Sequence, residues 1–323
     1  YSNLFQAEIE AEELYSKILS SHTFQHKAIG DKEGKELTGI YERLEELKKL
    51  GDTYRLNLYT YYTQGSILEL LKRFEDLNRL CDEAIAFFKK KEQHSKLPIV
   101  NFYIKKIIGL TRLQKIDEAL EVTEQSVDIL EPYSHNWYLL HYYHFILLVH
   151  KKKYTKAFDL LNEMLQQDSF SSLPKNFQEH FRIAEAYMHF LLEIGKVDRE
   201  PEKPFKIFKF LNEVPIYSKD KRGLNVSILI VHILFLLQKR RYADIIERME
   251  ALQQYSYRYL SKGDTYRSNC FIKMILQLPK ADFHPKRTHL YAEKYYDKLV
   301  DHPLEMAEQP SEIELIPYED LWD

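Results

Sequence analysis

The chain has little of what breaks or staples a backbone: 9 glycines, 11 prolines and 2 cysteines in 323 residues. No proline precedes Pro98, and the breakers that do occur fall between periodic segments, as at Gly51, Pro132, Pro174, Gly195 and Pro285. Such sparse punctuation excludes an all-β chain, which needs a turn every ten residues or so. Cys81 and Cys270 lie far apart in the sequence. They supply neither a disulfide framework nor a cysteine metal site, and fit a chain that folds as reduced thiols. Long hydrophobic runs are also missing: the longest, Val226 to Leu237, is broken by Ser227 and His232. A membrane-spanning helix needs about 20 apolar residues, so no membrane span is expected. Glycine-rich phosphate loops, zinc-finger spacings, His-Glu-x-x-His and nucleophile-elbow patterns are absent as well. No catalytic residue, metal or cofactor is therefore expected. A cytoplasmic protein is the expectation, although the chain opens on Tyr1 rather than methionine, which leaves open a segment ahead of it.

What the chain has in quantity is helix-forming sequence that repeats. Apolar residues (45%) and charged residues (29%) are balanced as in a folded globular protein. Tyr103–Pro132 and His141–Met164 each read as an apolar, helix-length run followed by a shorter amphipathic one. The turns between them are basic: Leu113-Gln114-Lys115-Ile116-Asp117-Glu118-Ala119 and Lys151-Lys152-Lys153-Tyr154-Thr155-Lys156-Ala157. Alignment on this turn pairs Phe74 with Leu77, Ile116 with Ala119, Tyr154 with Ala157 and Tyr242 with Ile245. A spacing of three puts both members of a pair on one helix face. The last interval spans two units, and Phe205 with Phe208 is expected to supply the missing pair. About fourteen helix-length segments lie between residues 2 and 300, and short connections force them into antiparallel hairpins. The expected fold is all-α, a right-handed α-solenoid of about seven antiparallel hairpins forming a single domain over residues 1–300. The many rings, 24 Tyr and 18 Phe, are expected chiefly to fill gaps between hairpins, with an aromatic-lined groove as the second use.

Over roughly residues 52–260 the units resemble degenerate tetratricopeptide repeats. Gly65, in Tyr61-Tyr62-Thr63-Gln64-Gly65, sits where that family places a small residue for close helix packing, and Ala84, Ala119 and Ala157 sit at small positions of the second helix. The units here are longer than the family's period of about 34 residues. The resemblance implies a concave face, lined by the first helix of each hairpin, that binds a protein or peptide. In the register set by Gly65 that face carries Tyr59, Tyr62, Ser66 and Glu69, then Asn101, Ile104, Ile108 and Thr111, then Tyr142 and Ile146. The expected function is a non-catalytic peptide- or protein-binding scaffold. The sensor portion of a bacterial regulator is the alternative within binding.

Candidates for chemistry are weaker. His135, His141, His144 and His150 crowd one helix, but no carboxylate or thiol completes a metal set there. Arg182 followed by His189 loosely resembles the motif of some all-helical ribonucleases, with Ile183 where a polar residue is usual. A helical ribonuclease or metal-dependent hydrolase is thus the alternative of another class. The basic runs at Lys89–Lys91, Lys151–Lys153 and Lys239–Arg241 end helices, where cations satisfy carbonyls and the dipole. Nucleic acid is not the expected partner.

From Asp301 the composition changes. Residues 301–323 hold eight acids and no Lys or Arg, so subtracting them from the net charge of −3 leaves +5 on the rest. Pro303, Pro310 and Pro317 exclude one long helix, and the segment reads as an acidic tail, extended or disordered. Ile313, Leu315, Ile316, Tyr318, Leu321 and Trp322 alternate with the acids and form a candidate docking motif. It is expected to bind the basic, aromatic body in cis or on a neighbouring protomer.

Overall fold

The structure is a computed structural model and describes residues 2–24, 30–91, 95–200, 205–213, 224–259, 266–302, 304 and 314–323. Among these residues there is no strand. The chain divides into two compact units, Tyr1–Pro132 and Tyr133–Asp323. The first holds α1 (Ser2–Phe24), α2 (Asp31–Lys48), α3 (Tyr54–Leu70), α4 (Phe74–Lys90), α5 (Leu97–Arg112) and α6 (Ile116–Ser126). The second holds α7 (His135–His150), α8 (Tyr154–Gln166), α9 (Lys175–Glu193), α10 (Ile207–Glu213), α11 (Leu224–Gln238), α12 (Tyr242–Tyr259), α13 (Tyr266–Ile275), α14 (Pro285–Val300) and the short α15 (Tyr318–Trp322). Within each unit consecutive helices pack as pairs, and α15 rests on α13 and α14. Among the described residues no helix is long and apolar enough to cross a membrane; α11, apolar on every side, is instead a core helix.

The helix starts follow capping chemistry. The Thr53 and Ser134 hydroxyls accept from the backbone N–H groups of Leu56 and Trp137, and Pro98 and Pro285 occupy first-turn positions where no N–H is needed. The ends show the repeat most clearly. Lys72, Gln114, Lys152, Gly195 and Arg240 all take a left-handed backbone conformation. The residue after each, Arg73, Lys115, Lys153, Lys196 and Arg241, donates its N–H back to Leu68, Leu110, Leu148, Leu191 and Leu236 at 2.8–2.9 Å. This is the Schellman closure, and all five leucines are buried. In these five turns the first helix closes on a core leucine, and in four of them, at Arg73, Lys115, Lys153 and Arg241, the next helix starts directly from a basic residue. In three turns that residue pairs with an acid one turn on: Arg73 with Asp76, Lys115 with Glu118 and Arg241 with Asp244. These three basic turns thus neutralise their own helix starts.

The aligned second positions Leu77, Ala119, Ala157 and Ile245 are all fully buried, as the register requires. The missing pair is a correction. Phe208 is 54% exposed, whereas Ile207 and Phe210 are the buried residues of α10. The missing turn lies earlier, at Gly195-Lys196-Val197, where Val197 is buried. Residues 198–200 and 205–206 are not helical and α10 begins only at Ile207, so the second helix begins late and the apolar spacing slips. Gly65 is likewise not the tight spot: a Cβ there would make ordinary contact with Lys105 and Phe102. The close approach is at Gly109, where a Cβ would lie 2.4 Å from Asn78 Oδ1 on α4.

Rings fill both cores. Tyr61, Phe88 and Phe102 meet edge-on or stacked in the first unit; in the second Tyr138 and Phe170 meet Phe181 edge-on and Tyr142 packs against it tilted.

Candidate functional site

The densest arrangement of charge and rings in the second unit surrounds residues 314–323. Arg267 lies on the buried face of α13 with Cys270, Phe271 and Met274, an apolar stripe that takes a charge only if the charge is paired. Its guanidinium uses all five N–H donors. Nε and Nη2 grip both carboxylate oxygens of Glu314 at 2.6 and 3.2 Å, and Nη2 also reaches Glu319 at 2.6 Å. Nη1 donates to the carbonyls of Leu299, at 2.8 Å, and His302, at the C-terminal end of α14. Arg267 thus joins two carboxylates to the electronegative end of a helix. The Glu314 carboxylate also accepts from the Tyr318 backbone N–H at 3.2 Å, which caps α15.

Five further contacts complete the seat. His150, the last residue of α7, donates from Nε2 to the Glu314 carbonyl at 2.9 Å. Lys152 Nζ meets Asp320 Oδ1 at 2.7 Å. The Tyr318 ring stacks on Phe271, centroids 4.4 Å apart and planes 6° apart, with its hydroxyl 2.9 Å from Ser268 Oγ. Trp322 Nε1 donates to His289 Nδ1 at 3.2 Å. Leu315, Ile316 and Tyr318 are buried, Leu321 and Trp322 half-buried, and Ile313 lies outside the described residues.

Burial sets the electrostatics. It pushes the Glu314 carboxyl up to about 7, although Arg267 pulls the other way. Burial opposes the Arg267 charge, but pairing with Glu314 and Glu319 outweighs it and strengthens the guanidinium's hold on its proton. The phenols of Tyr318 and Tyr187 are raised by burial, with Glu314 nearby. Burial lowers His150, against its bond to the Glu314 carbonyl.

In the first unit the face registered on Gly65 is a ladder across α1, α3 and α5. Tyr59 donates to Glu12 at 2.8 Å, and Arg55 also pairs with Glu12. Tyr15 rests against both Tyr59 and Tyr62. Asn101 donates to the Tyr62 hydroxyl at 2.7 Å, and Lys105 pairs with Glu69. Tyr59, Tyr62, Glu69 and Asn101 are therefore half-buried and each engaged, Asn101 with Tyr62, Tyr59 with Glu12 and Glu69 with Lys105, while Ser66, Ile104 and Ile108 are half-buried as well. The other three positions do not belong to an open face. Thr111 is buried with its hydroxyl on the Ile107 carbonyl. Tyr142 and Ile146 are core residues of the second unit, because α7 is apolar all round and buries nearly every side chain.

The histidines and Arg182 are engaged separately. His141 stacks on Trp137 at 3.7 Å and bonds its carbonyl; His189 stacks on Phe205; Arg182 pairs with Glu185 and lies over Phe170. Among the described residues no group of three or more potential ligands could hold a metal ion. Of the basic runs, Lys89 bonds the Tyr103 hydroxyl and Lys91 lies over Phe87.

Of the residues that hold the C-terminal segment, Arg267, Ser268, Phe271, His289 and the carboxylate of Glu314 were not among the sequence candidates, and Lys152 entered only within a basic run. One signal pointed to them: an arginine on a helix face otherwise made of Cys270, Phe271, Met274 and Ile275, where an unpaired charge is not tolerated. Comparisons with protein families, curated proteins and solved structures found no match for this chain.

Proposed function

We propose that the protein is a non-enzymatic helical-hairpin-repeat module, solenoid-like and similar to tetratricopeptide proteins, that binds a peptide segment of a partner protein. One observation carries the reading. A ten-residue stretch, 314–323, is held as a ligand is held, through side chains of α7, α13 and α14 and the turn after α7 rather than by continuing a helix pair. Charge-assisted bonds orient the segment, Leu315, Ile316 and Tyr318 are buried, and backbone capture by His150 fixes its register. The side chains considered for hydrolysis are committed to Glu185 and to aromatic stacks, which supports binding over catalysis.

The test is selection of random twelve-residue peptides on the immobilised full chain, followed by titration of the enriched sequences. Enrichment of peptides that carry acids flanking an aromatic residue is the expected result. If no peptide is enriched above background, the binding reading fails.

A further inference from the structure

We propose that the groove around Arg267 is a recognition site for an acidic, aromatic segment of a partner protein, and that residues 314–323 are its internal competitor. The inference rests on the peptide-binding reading above and adds the site, the ligand chemistry and the regulation.

The chemistry of an empty groove makes exchange the natural mode. Without the segment, Arg267 would lose its three carboxylate contacts and keep only the Leu299 and His302 carbonyls. A buried guanidinium in that condition is costly. Phe271 would lose its stacked ring and His150 its acceptor. An occupant able to replace the segment must therefore bring a carboxylate to Arg267, an aromatic ring to Phe271 and a free carbonyl to His150. A neutral or basic segment leaves the buried donors unmatched, and such mismatches discriminate strongly. Acidic residues at the positions of Glu319 and Asp320 would match Arg267 and Lys152.

The segment itself is built to be displaced. Five residues, Tyr318–Trp322, are too few to hold a helix alone in water, so α15 is a consequence of docking. Its outer anchors are at the rim: the Lys152 side chain is 62% exposed, and Trp322 is only half-buried against His289. Contacts of that kind contribute little each, so a partner can compete for them from the open end while Arg267 remains covered. Tethering gives the internal segment an effective concentration near the millimolar range, which sets how well a partner must bind.

The probe is a fluorescein-labelled synthetic peptide of residues 314–323, titrated by anisotropy into the full chain and into the full-length variant Asp320→Ala/Trp322→Ala. The expected result is binding to the variant tighter by about tenfold or more than to the unaltered chain, and loss of that gain when Phe271→Ala is added. Equal affinity for both chains, or no binding to a folded variant, overturns the proposal. A concentration-dependent dimer of the variant that excludes the peptide also overturns it and assigns the groove to a second copy. As a control on folding, excess peptide is added to the unaltered chain and hydrogen exchange is followed by mass. Faster exchange of residues 314–323 with α13 still protected supports the proposal; unchanged exchange in that segment overturns it. Selected peptides that bind equally to both chains would leave the peptide-binding reading standing and remove only this one.

Discussion

His150 Nε2 donates to the Glu314 carbonyl at 2.9 Å across 164 residues of sequence, joining the end of α7 to the C-terminal segment. Arg267 makes the neighbouring anchor from α13, so helices far apart in the chain share one ten-residue stretch as a common partner. The order of the second unit therefore depends on a few polar contacts as well as on its apolar core.

Arg267→Met should lower the stability of the second unit by about 3–5 kcal/mol, because it leaves the buried Glu314 without a cation and the half-buried Glu319 without its partner. Adding Glu314→Leu should recover part of that loss, since removing both charges also removes their desolvation cost. Urea denaturation of the two single variants and the double variant measures the coupling. A strictly additive double variant would contradict the pairing.

Protection of the docked segment should depend on pH through two groups that act in opposite senses, Glu314 weakening it as pH rises toward 7 and His150 weakening it as pH falls below 6.5. Glu314 has a folded pKa of about 7, above its ordinary carboxyl value. Its contribution is complete below the unfolded pKa and is lost as pH rises through 7. His150 is shifted down, so its contribution is present above its ordinary 6.5 and is lost as pH falls through the lowered value. Arg267 on α13, Glu319 and Tyr318 in α15, and Tyr187 on α9 surround Glu314; Arg267 stays charged and both phenols stay neutral across this range. Hydrogen exchange of residues 314–323 against pH reads the profile, and Glu314→Gln should remove only the loss of protection with rising pH up to 7.

His232 should make the second unit acid-labile. Burial first, then Arg248 and Arg241, lower it to about 4, and its Nε2 is buried without a partner. A base with a depressed folded pKa stabilises the fold above pH 6.5 and loses that contribution as pH falls toward 4. His232→Leu removes both the titration and the unmet nitrogen. Its thermal midpoint should exceed that of the unaltered chain by more at pH 5 than at pH 7.

Two glycines should respond oppositely to alanine. Gly65→Ala meets only ordinary contacts and should gain up to about 1 kcal/mol of helix propensity. Gly109→Ala drives a methyl into Asn78 and should cost about 1–3 kcal/mol net. Chemical denaturation of the first unit distinguishes them.

The left-handed turn residues give a fifth prediction. Gln114 at φ 60 should be improved by glycine, by about 0.5–1 kcal/mol, while Gly195→Ala at φ 75 should cost about 1 kcal/mol. Opposite shifts in denaturant midpoint check the pair.

Much of the fold was legible because hairpin repetition is local. Leu77, Ala119, Ala157 and Ile245 are buried where a period of three and a basic turn put them, since a turn and the next helix face depend on neighbours only a few residues away. The register failed where that locality failed. The second helix, α10, begins only at Ile207, well after the turn at Gly195-Lys196-Val197, so Phe208 inherits a core position in the alignment and an exposed one in space. The concave-face residues show the same limit. Tyr59, Tyr62, Glu69 and Asn101 are each engaged across α1, α3 and α5, but Tyr142 and Ile146 are interior because α7 is covered on every side.

The sequence by itself determined the helices, their turns and the change to an acidic, aromatic end, because propensity, capping and hydrophobic period act over single turns of chain. Only the tertiary structure decided that Glu314 is a buried anchor rather than one more solvated acid. Nothing local distinguishes it from Glu312. What sets it apart is Arg267, 47 residues earlier, presented with the end of α14 on a face that cannot leave a charge unpaired.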